Sequence, residues 1–334
     1  MTQVLRLVLL TMIMVRVAVI ASAQPLFPVS KEGKVGFIDH TGKVVIRPIF
    51  DQAEPFSNGL ARVAASSSEG SLDPHYGYID VTGMVVINFT LQGAYPFSEG
   101  LALVKVNDTL RGFIDRTGHM VITLADEWQK ASSFSEGRAA IFVNGRYGFI
   151  DQTGKVIIKP QFEAVGSFSE GLAPVRWQSR SGYVDRSGKL IIHSRFSEAL
   201  GFSEGLAAVR LAGKWAYIDK TGRVIIKPIF ESAHDFKEGL ARVSFDGLKF
   251  GFIDRQGRLV ISNRFDSLSG DFSEGLAAVC YEGSCGFINR KGKKIIESRF
   301  DLASPFSNGL ARVLVGSEIG YINSIGQYVW NPRK

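Results

Sequence analysis

Tyr147-Gly148-Phe149-Ile150-Asp151-Gln152-Thr153-Gly154-Lys155-Val156-Ile157-Ile158-Lys159-Pro160-Gln161-Phe162, followed by Phe168-Ser169-Glu170-Gly171-Leu172-Ala173-Pro174-Val175, is a phrase that the rest of the chain repeats. Its aromatic-Ile-Asp segment recurs behind Gly36, Gly77, Gly112, Gly148, Gly182, Ala216, Gly251, Gly286 and Gly320, at spacings of 41, 35, 36, 34, 34, 35, 35 and 34 residues. The Phe-x-x-Gly segment recurs at Phe56, Phe97, Phe134, Phe168, Phe202, Phe236, Phe272 and Phe306. A period near 34 residues marks a repeat architecture and overrides a domain count taken from length.

The period is filled by strands. Gly-aromatic-Ile-Asp (strand A) is rich in aromatic and β-branched residues. It runs into Asp-x-Thr-Gly, as in Asp39 to Gly42, where Asp can accept backbone amides and Gly can take positive φ. Val44-Val45-Ile46 and its copies (strand B) are too short for a helix. Pro48, Pro160 and Pro228 follow in three copies and lack the amide a central ladder needs. Leu-Ala-x-Val (strand C) returns to the next strand A through Glu32-Gly33, Asn144-Gly145, Ala212-Gly213 or Glu282-Gly283, two-residue loops suited to hairpins.

This phasing predicts an all-β tandem repeat of nine three-stranded antiparallel units (a C-A-B meander), at 26–50, 60–91, 101–125, 138–162, 172–196, 206–230, 240–265, 276–300 and 310–330. Both faces of strand A are apolar, and strand B runs three apolar residues together, so a unit needs cover that only its neighbours can supply. The expected arrangement is a stack forming an open curved solenoid, with a closed propeller-like ring as the alternative. The Phe of Phe-Ser-Glu-Gly is expected to plug the seam between units.

These residues resemble the WG-repeat family of bacterial proteins, whose repeats read Trp/Tyr-Gly-Phe-Ile-Asp-x-x-Gly-Lys-Val-Val-Ile-x-Pro-x-Phe and then Phe-Ser-Glu-Gly-Leu-Ala-x-Val. The match covers about residues 26 to 330. The eponymous Trp occurs once in its slot, at Trp215, where Ala216 replaces the Gly; Asn289 and Asn323 replace the turn Asp. The resemblance implies a β-rich repeat, no catalysis in most members, and no particular ligand.

Residues 1–23 read as a signal peptide: Arg6 precedes an apolar run and Ala21-Ser22-Ala23 offers small residues before Gln24. The expected location is secreted or periplasmic, the alternative being an anchor by an uncleaved N-terminal segment. No later stretch is long and apolar enough to span a bilayer. Residues 64–74 form an insertion rich in Ser and small residues, read as an exposed loop.

Cys280 and Cys285 flank the Glu282-Gly283 turn and fall opposite one another on adjacent strands, so a structural cross-strand disulfide is expected. One carboxylate per Asp-x-x-Gly turn is far short of a Ca²⁺ shell. The five His, at 40, 75, 119, 193 and 234, have no metal-ligand spacing, and no phosphate loop or nucleophile elbow is present. No enzyme activity, metal or cofactor is expected. The formal charge of +7 becomes +5 without residues 1–23, which carry Arg6 and Arg16 and no acid. Basic residues recur in and after the A–B turns, giving a candidate basic stripe. Arg62, Arg242 and Arg312 share a slot held elsewhere by Leu103, Ala140, Pro174, Ala208 and Ala278, read as solvent-facing. With Trp177 and Trp215 near the C–A turns, they form the candidate binding surface. The expected function is a non-catalytic exported scaffold for protein–protein interaction at the cell envelope. The alternative is binding of an anionic cell-wall polymer or carbohydrate; nucleic acid is not an expected partner.

Overall fold

The structure, a computed structural model, describes residues 24–65, 74–266 and 270–331. The segment read as a signal and most of the 64–74 insertion lie outside them. The described residues form nine antiparallel sheets in chain order, the first of three strands and the other eight of four. In the second sheet the strands are Gln52–Ala53, Leu60–Ala65, His75–Asp80 and Val85–Leu91, paired in that order. The last three are strands C, A and B of the sequence reading. The extra strand, here called inner, comes from the connection that carries Phe-Ser-Glu-Gly. The inner strands of blades 6 and 7, Glu198–Ser203 and Ser232–Lys237, contact one another, so the blades converge along this edge.

The architecture is therefore a nine-bladed β-propeller, not an open solenoid of three-stranded units. Two features hid the fourth strand. It is as short as two residues, and its sequence (Gln52-Ala53-Glu54-Pro55) has low strand propensity. Ser-Glu-Gly-Leu is also a tight hairpin turn. Ser57 and Leu60 exchange backbone hydrogen bonds, and Asn58 and Gly59 between them have φ of 51° and 83°, the double positive φ of a type I′ turn.

The seams between blades repeat one set of contacts, except that Lys237 stands in the hairpin Ser position of blade 7. The strand-A aromatic of one blade packs on the Phe of the next blade's hairpin: Phe37 on Phe56, Tyr78 on Phe97, Phe149 on Phe168, Phe287 on Phe306, with ring centroids 4.8–5.0 Å apart. Phe168 is 2% exposed, a plug between blades. The hairpin Ser donates its hydroxyl to that next Phe carbonyl at 2.6–2.8 Å, as Ser57 to Phe97, Ser98 to Phe134 and Ser169 to Phe202. The following Glu or Asn accepts the next blade's Gly amide: Asn58 from Gly100, Glu99 from Gly137, Glu136 from Gly171, Glu204 from Gly239, Glu274 from Gly309, at 2.8–3.0 Å.

The ring closes between the ninth and first blades. Phe27 packs on Tyr321 with centroids 5.5 Å apart, and the Tyr321 hydroxyl donates to the Pro28 carbonyl at 2.9 Å. Val29 and Ile38 share a buried cluster with Leu310 and Tyr321. The first blade has no inner strand among the described residues, and its sequence compensates. Phe27 stands where other blades have the Ala of Leu-Ala-x-Val: Phe27 faces Ile38 as Ala61 faces Ile79. That Ala is small because the hairpin Phe fills the seam beside it; without the hairpin, strand C carries the ring itself.

Both residues of strand A are buried, Phe37 and Ile38 at 0% exposure. Strand B differs from expectation. It is the outer edge of each blade and buries only every third or fourth residue: Ile46 and Phe50 are buried, while Val44 and Val45 are 39% and 43% exposed. Its pairing with strand A is interrupted by bulges, Val35↔Phe50 then Phe37↔Ile46 then Ile38↔Val44, and the bulged backbone crowds strand A. A Cβ at Gly36 would lie 2.4 Å from the Ile46 carbonyl oxygen, which is why this position is nearly always Gly.

Candidate functional site

The A–B turns are self-contained. Asp151 Oδ1 accepts the Thr153 amide, the Thr153 hydroxyl and the Lys155 amide at 2.6–3.1 Å. The same set recurs at Asp39, Asp80, Asp115 and Asp219. The hydroxyl bond chiefly, with the amides adding and partial burial opposing, holds these carboxyls below their ordinary range. The carboxylates that recur with the period thus hold either their own turn or the neighbouring blade's Gly amide.

The A–B turns and the Ser-Glu-Gly hairpins share one face of the ring. Arg186, in the A–B turn of blade 5, pairs with Glu136 of the blade 4 hairpin at 2.7 Å, and Lys220 with Glu170 one blade on at 3.0 Å. Arg223 and Arg258 pair with the Asp of their own turns. These cations of the expected stripe therefore alternate with carboxylates.

The opposite face carries the C–A turns. Trp177 lies there, 44% exposed, in blade 5. Trp215, in blade 6, is half-buried against the seam. Blade 7 adds Phe245 and Leu248, 39% and 75% exposed, and blade 8 adds Tyr281, 50% exposed. Lys249, over the Tyr281 ring at 5.7 Å, is paired with Asp266 at 2.6 Å. Blades 5, 7 and 8 thus present exposed large apolar side chains on this face. Phe245 and Leu248 escaped the sequence reading because they sit in a turn that departs from the repeat, whereas Tyr281 flanks the regular Glu282-Gly283 turn. That departure is the signal that could have found them. The Cys280–Cys285 disulfide closes the base of the Tyr281 hairpin, with Cα atoms 3.9 Å apart.

The slot holding Arg62, Arg242 and Arg312 does not uniformly face solvent. It faces the next blade's inner strand. Arg62 reaches the Ala94 carbonyl of blade 3 at 3.1 Å, pairs with Glu54 and covers the Tyr76 ring at 4.8 Å. Arg242 is buried: it contacts Asp271 of blade 8 and His234 Nδ1, both at 3.2 Å, and covers Phe250 at 5.0 Å. Arg312 is exposed. Opposite the slot, the inner strand bulges by one residue: Ala233 faces Val243 and Phe236 faces Ala241, leaving His234 and Asp235 against Arg242. The residue pair before the hairpin Phe varies from copy to copy (Glu54-Pro55, Tyr95-Pro96, Gly166-Ser167, His234-Asp235, Gly270-Asp271) within a chain that otherwise repeats itself. Blades 7 and 8 therefore place a charged cluster on the inner rim. Burial, with the Asp271 charge adding and Lys237 opposing, pushes the Asp235 carboxyl up. Burial and then the Arg242 charge pull the His234 imidazole down, against Asp271. Among the described residues no group of His, Cys, Asp and Glu could hold a metal ion, and no helix is long and apolar enough to cross a membrane.

The blades and seams define the class, a β-propeller built from tandem repeats. The family model described as "WG containing repeat" matches residues 36–64, 76–109, 112–147, 147–176, 182–215, 215–248, 250–285 and 286–317, so the chain belongs to the WG-repeat family. No curated protein matches it. Its fold is similar to that of a eukaryotic initiation factor, at 12% identity and a TM-score of 0.62 over 91% of this chain and 94% of that one. It is similar also to the computationally designed Ika8 protein, at 13% identity and 0.51 over 81% and 95%. The dihydro-heme d1 dehydrogenase NirN matches at 15% identity and 0.51 over 86% and 76%. At these identities the likeness is one of fold.

Proposed function

We propose that the protein is a non-catalytic, exported scaffold that binds a protein partner at the cell envelope through the face carrying the C–A turns. The observation that carries the reading is the arc Trp177, Phe245, Leu248 and Tyr281, exposed on turn tips of blades 5, 7 and 8. Exposed large apolar side chains gathered on one face mark contact sites, and aromatic residues dominate such contacts. The opposite face supports the choice, since Glu136, Glu170, Arg186 and Lys220 satisfy one another there.

The test is capture from envelope extract by protein purified from the periplasm of an expression host, compared with a Leu248→Asp/Tyr281→Asp variant of equal melting temperature. Capture by the parent and loss in the variant is expected. Equal capture by both, or salt-sensitive sedimentation with purified peptidoglycan in place of a protein partner, overturns it.

A further inference from the structure

The seam between blades 5 and 6 departs from its neighbours at two positions, and both are serine. Elsewhere the residue before the strand-A Gly puts a ring into the seam. Tyr76 packs on the cluster that holds Ala94 of blade 3, Tyr147 on the cluster that Val165 of blade 5 also joins, and Trp215 on the cluster that holds Ala233 of blade 7. In blade 5 this residue is Ser181, the smallest of the nine copies. The residue after the buried Phe that ends strand B is an acid at Asp51, Glu163, Glu231 and Asp266. Each pairs with a base of the preceding C–A turn: Lys34, Arg146, Lys214 and Lys249. After Phe196 the residue is Ser197. Arg180, in the position of Lys34, therefore makes no ion pair or hydrogen bond among the described residues.

Where the ring and the acid are replaced, a cavity of about 260 Å³ opens beside Trp177. Ser181 and Ser197 line it, with Val165, Pro174, Ala199 and Arg176, the last directly across from Ser181. The Ser197 hydroxyl donates to the Arg210 carbonyl at 3.2 Å, and the Ser181 hydroxyl bonds to no described residue. The charged groups on the lining are matched, Arg176 by Glu163 at 3.7 Å and Glu198 by Arg210 at 2.8 Å.

We propose that this cavity takes a tyrosine side chain of the partner polypeptide, with a neighbouring carboxylate of that polypeptide on Arg180. The volume falls below the about 300–1,000 Å³ of sites for whole small molecules and suits one side chain. A ring there restores the packing that Tyr147 and Trp215 give their own seams, and it lies across from Arg176 as Tyr147 lies across from Phe142, at 4.6 Å. The free Ser181 hydroxyl favours a phenol over a bare ring, since a buried tyrosine hydroxyl needs a partner. Arg180 reaches the place of the absent acid by the geometry that brings Lys34 to Asp51 and Arg146 to Glu163. The proposal rests on the C–A face being the contact face and names what that face recognises.

The probe is a fluorescein-labelled Gly-Gly-Tyr-Glu-Gly-Gly peptide, titrated with the full chain and read by anisotropy. Ser181→Tyr installs the ring that blades 2 and 4 carry and should abolish binding while the melting temperature stays at or above the parent's. Ser181→Ile, the blade 9 residue, is the smaller filling variant and should weaken binding about tenfold or more. Arg180→Ala should cost about tenfold with this peptide, the loss of a charge-assisted contact, and leave the affinity for a Tyr-Gln peptide unchanged. The Leu248→Asp/Tyr281→Asp variant leaves the cavity intact and should bind the peptide as the parent does, so this proposal and capture from envelope extract fail separately. Equal binding by the parent and both Ser181 variants, no saturation below millimolar peptide, or an Arg180→Ala loss that is the same for both peptides overturns the proposal.

Discussion

Removing the Phe27 ring tests whether the ring of blades is closed by the substitution read at its N-terminal blade. Phe27 is 7% exposed and packs on Tyr321 at 5.5 Å. Truncating a core Phe to Ala costs about 3–5 kcal/mol. With an unfolding entropy of about 2.1 cal/mol/K per residue, a chain of this length loses roughly 1.4 °C per kcal/mol, so Phe27→Ala should lower the melting midpoint by roughly 4–7 °C. Phe168→Ala, at an internal seam where the ring faces Phe149 at 5.0 Å, is the reference and should cost about as much, because a repeat array loses one interface in either case. Calorimetry gives the midpoints. Hydrogen exchange distinguishes the sites: Phe27→Ala should accelerate amides of strands Phe27–Lys31 and Glu318–Asn323 and leave blade 5 protected. A midpoint within about 1 °C of the parent, with those amides unchanged, would refute closure through Phe27.

Three further outcomes follow from the geometry. Gln178 and Ser179 form the blade 5 hairpin turn with φ of 50° and 61° and no glycine; Ser179→Gly should stabilise by up to about 1 kcal/mol, raising the urea midpoint at constant m. The Cys280–Cys285 bridge closes a short loop, so reduction should cost only about 2 kcal/mol, read as a shift in urea midpoint with and without dithiothreitol. Turn carboxyls such as Asp39 and Asp151, whose folded pKa lies below the unfolded value of 3.8, stabilise above that value and lose the contribution as pH falls. Asp235, raised above 3.8, behaves oppositely: Asp235→Asn should raise the midpoint at pH 7, with the gain vanishing below about pH 4, and a gain independent of pH would contradict its buried charge.

The period, strands A, B and C, the C–A hairpin turns and the plugging role of Phe168 were legible because each recurs along the chain and each has a local physical cause. The inner strand was not. Its hydrogen bonds, as from the Glu54 amide to the Arg62 carbonyl, are set by the hairpin and by burial between blades, whereas Glu54-Pro55 itself argues against a strand. Closure was equally hidden, because curvature is a sum of small rotations that no single repeat encodes; its trace was Phe27 in an alanine position. The site residues divided the same way. The variation of the Arg62, Arg242 and Arg312 slot was visible, but its direction depended on the neighbouring blade, which brings Asp271 to Arg242. Leu248 and Tyr281 stood out only once the turns were placed on one face.

Among the described residues no backbone ladder joins Phe27–Lys31 of the first blade to Glu318–Asn323 of the ninth; ring packing and the Tyr321 hydroxyl on the Pro28 carbonyl hold them together. The molecule is thus a bracelet with a clasp. Tension applied across that join would release aromatic and hydroxyl contacts before any sheet is torn, and the eight remaining joins would keep the opened band folded and able to snap shut again.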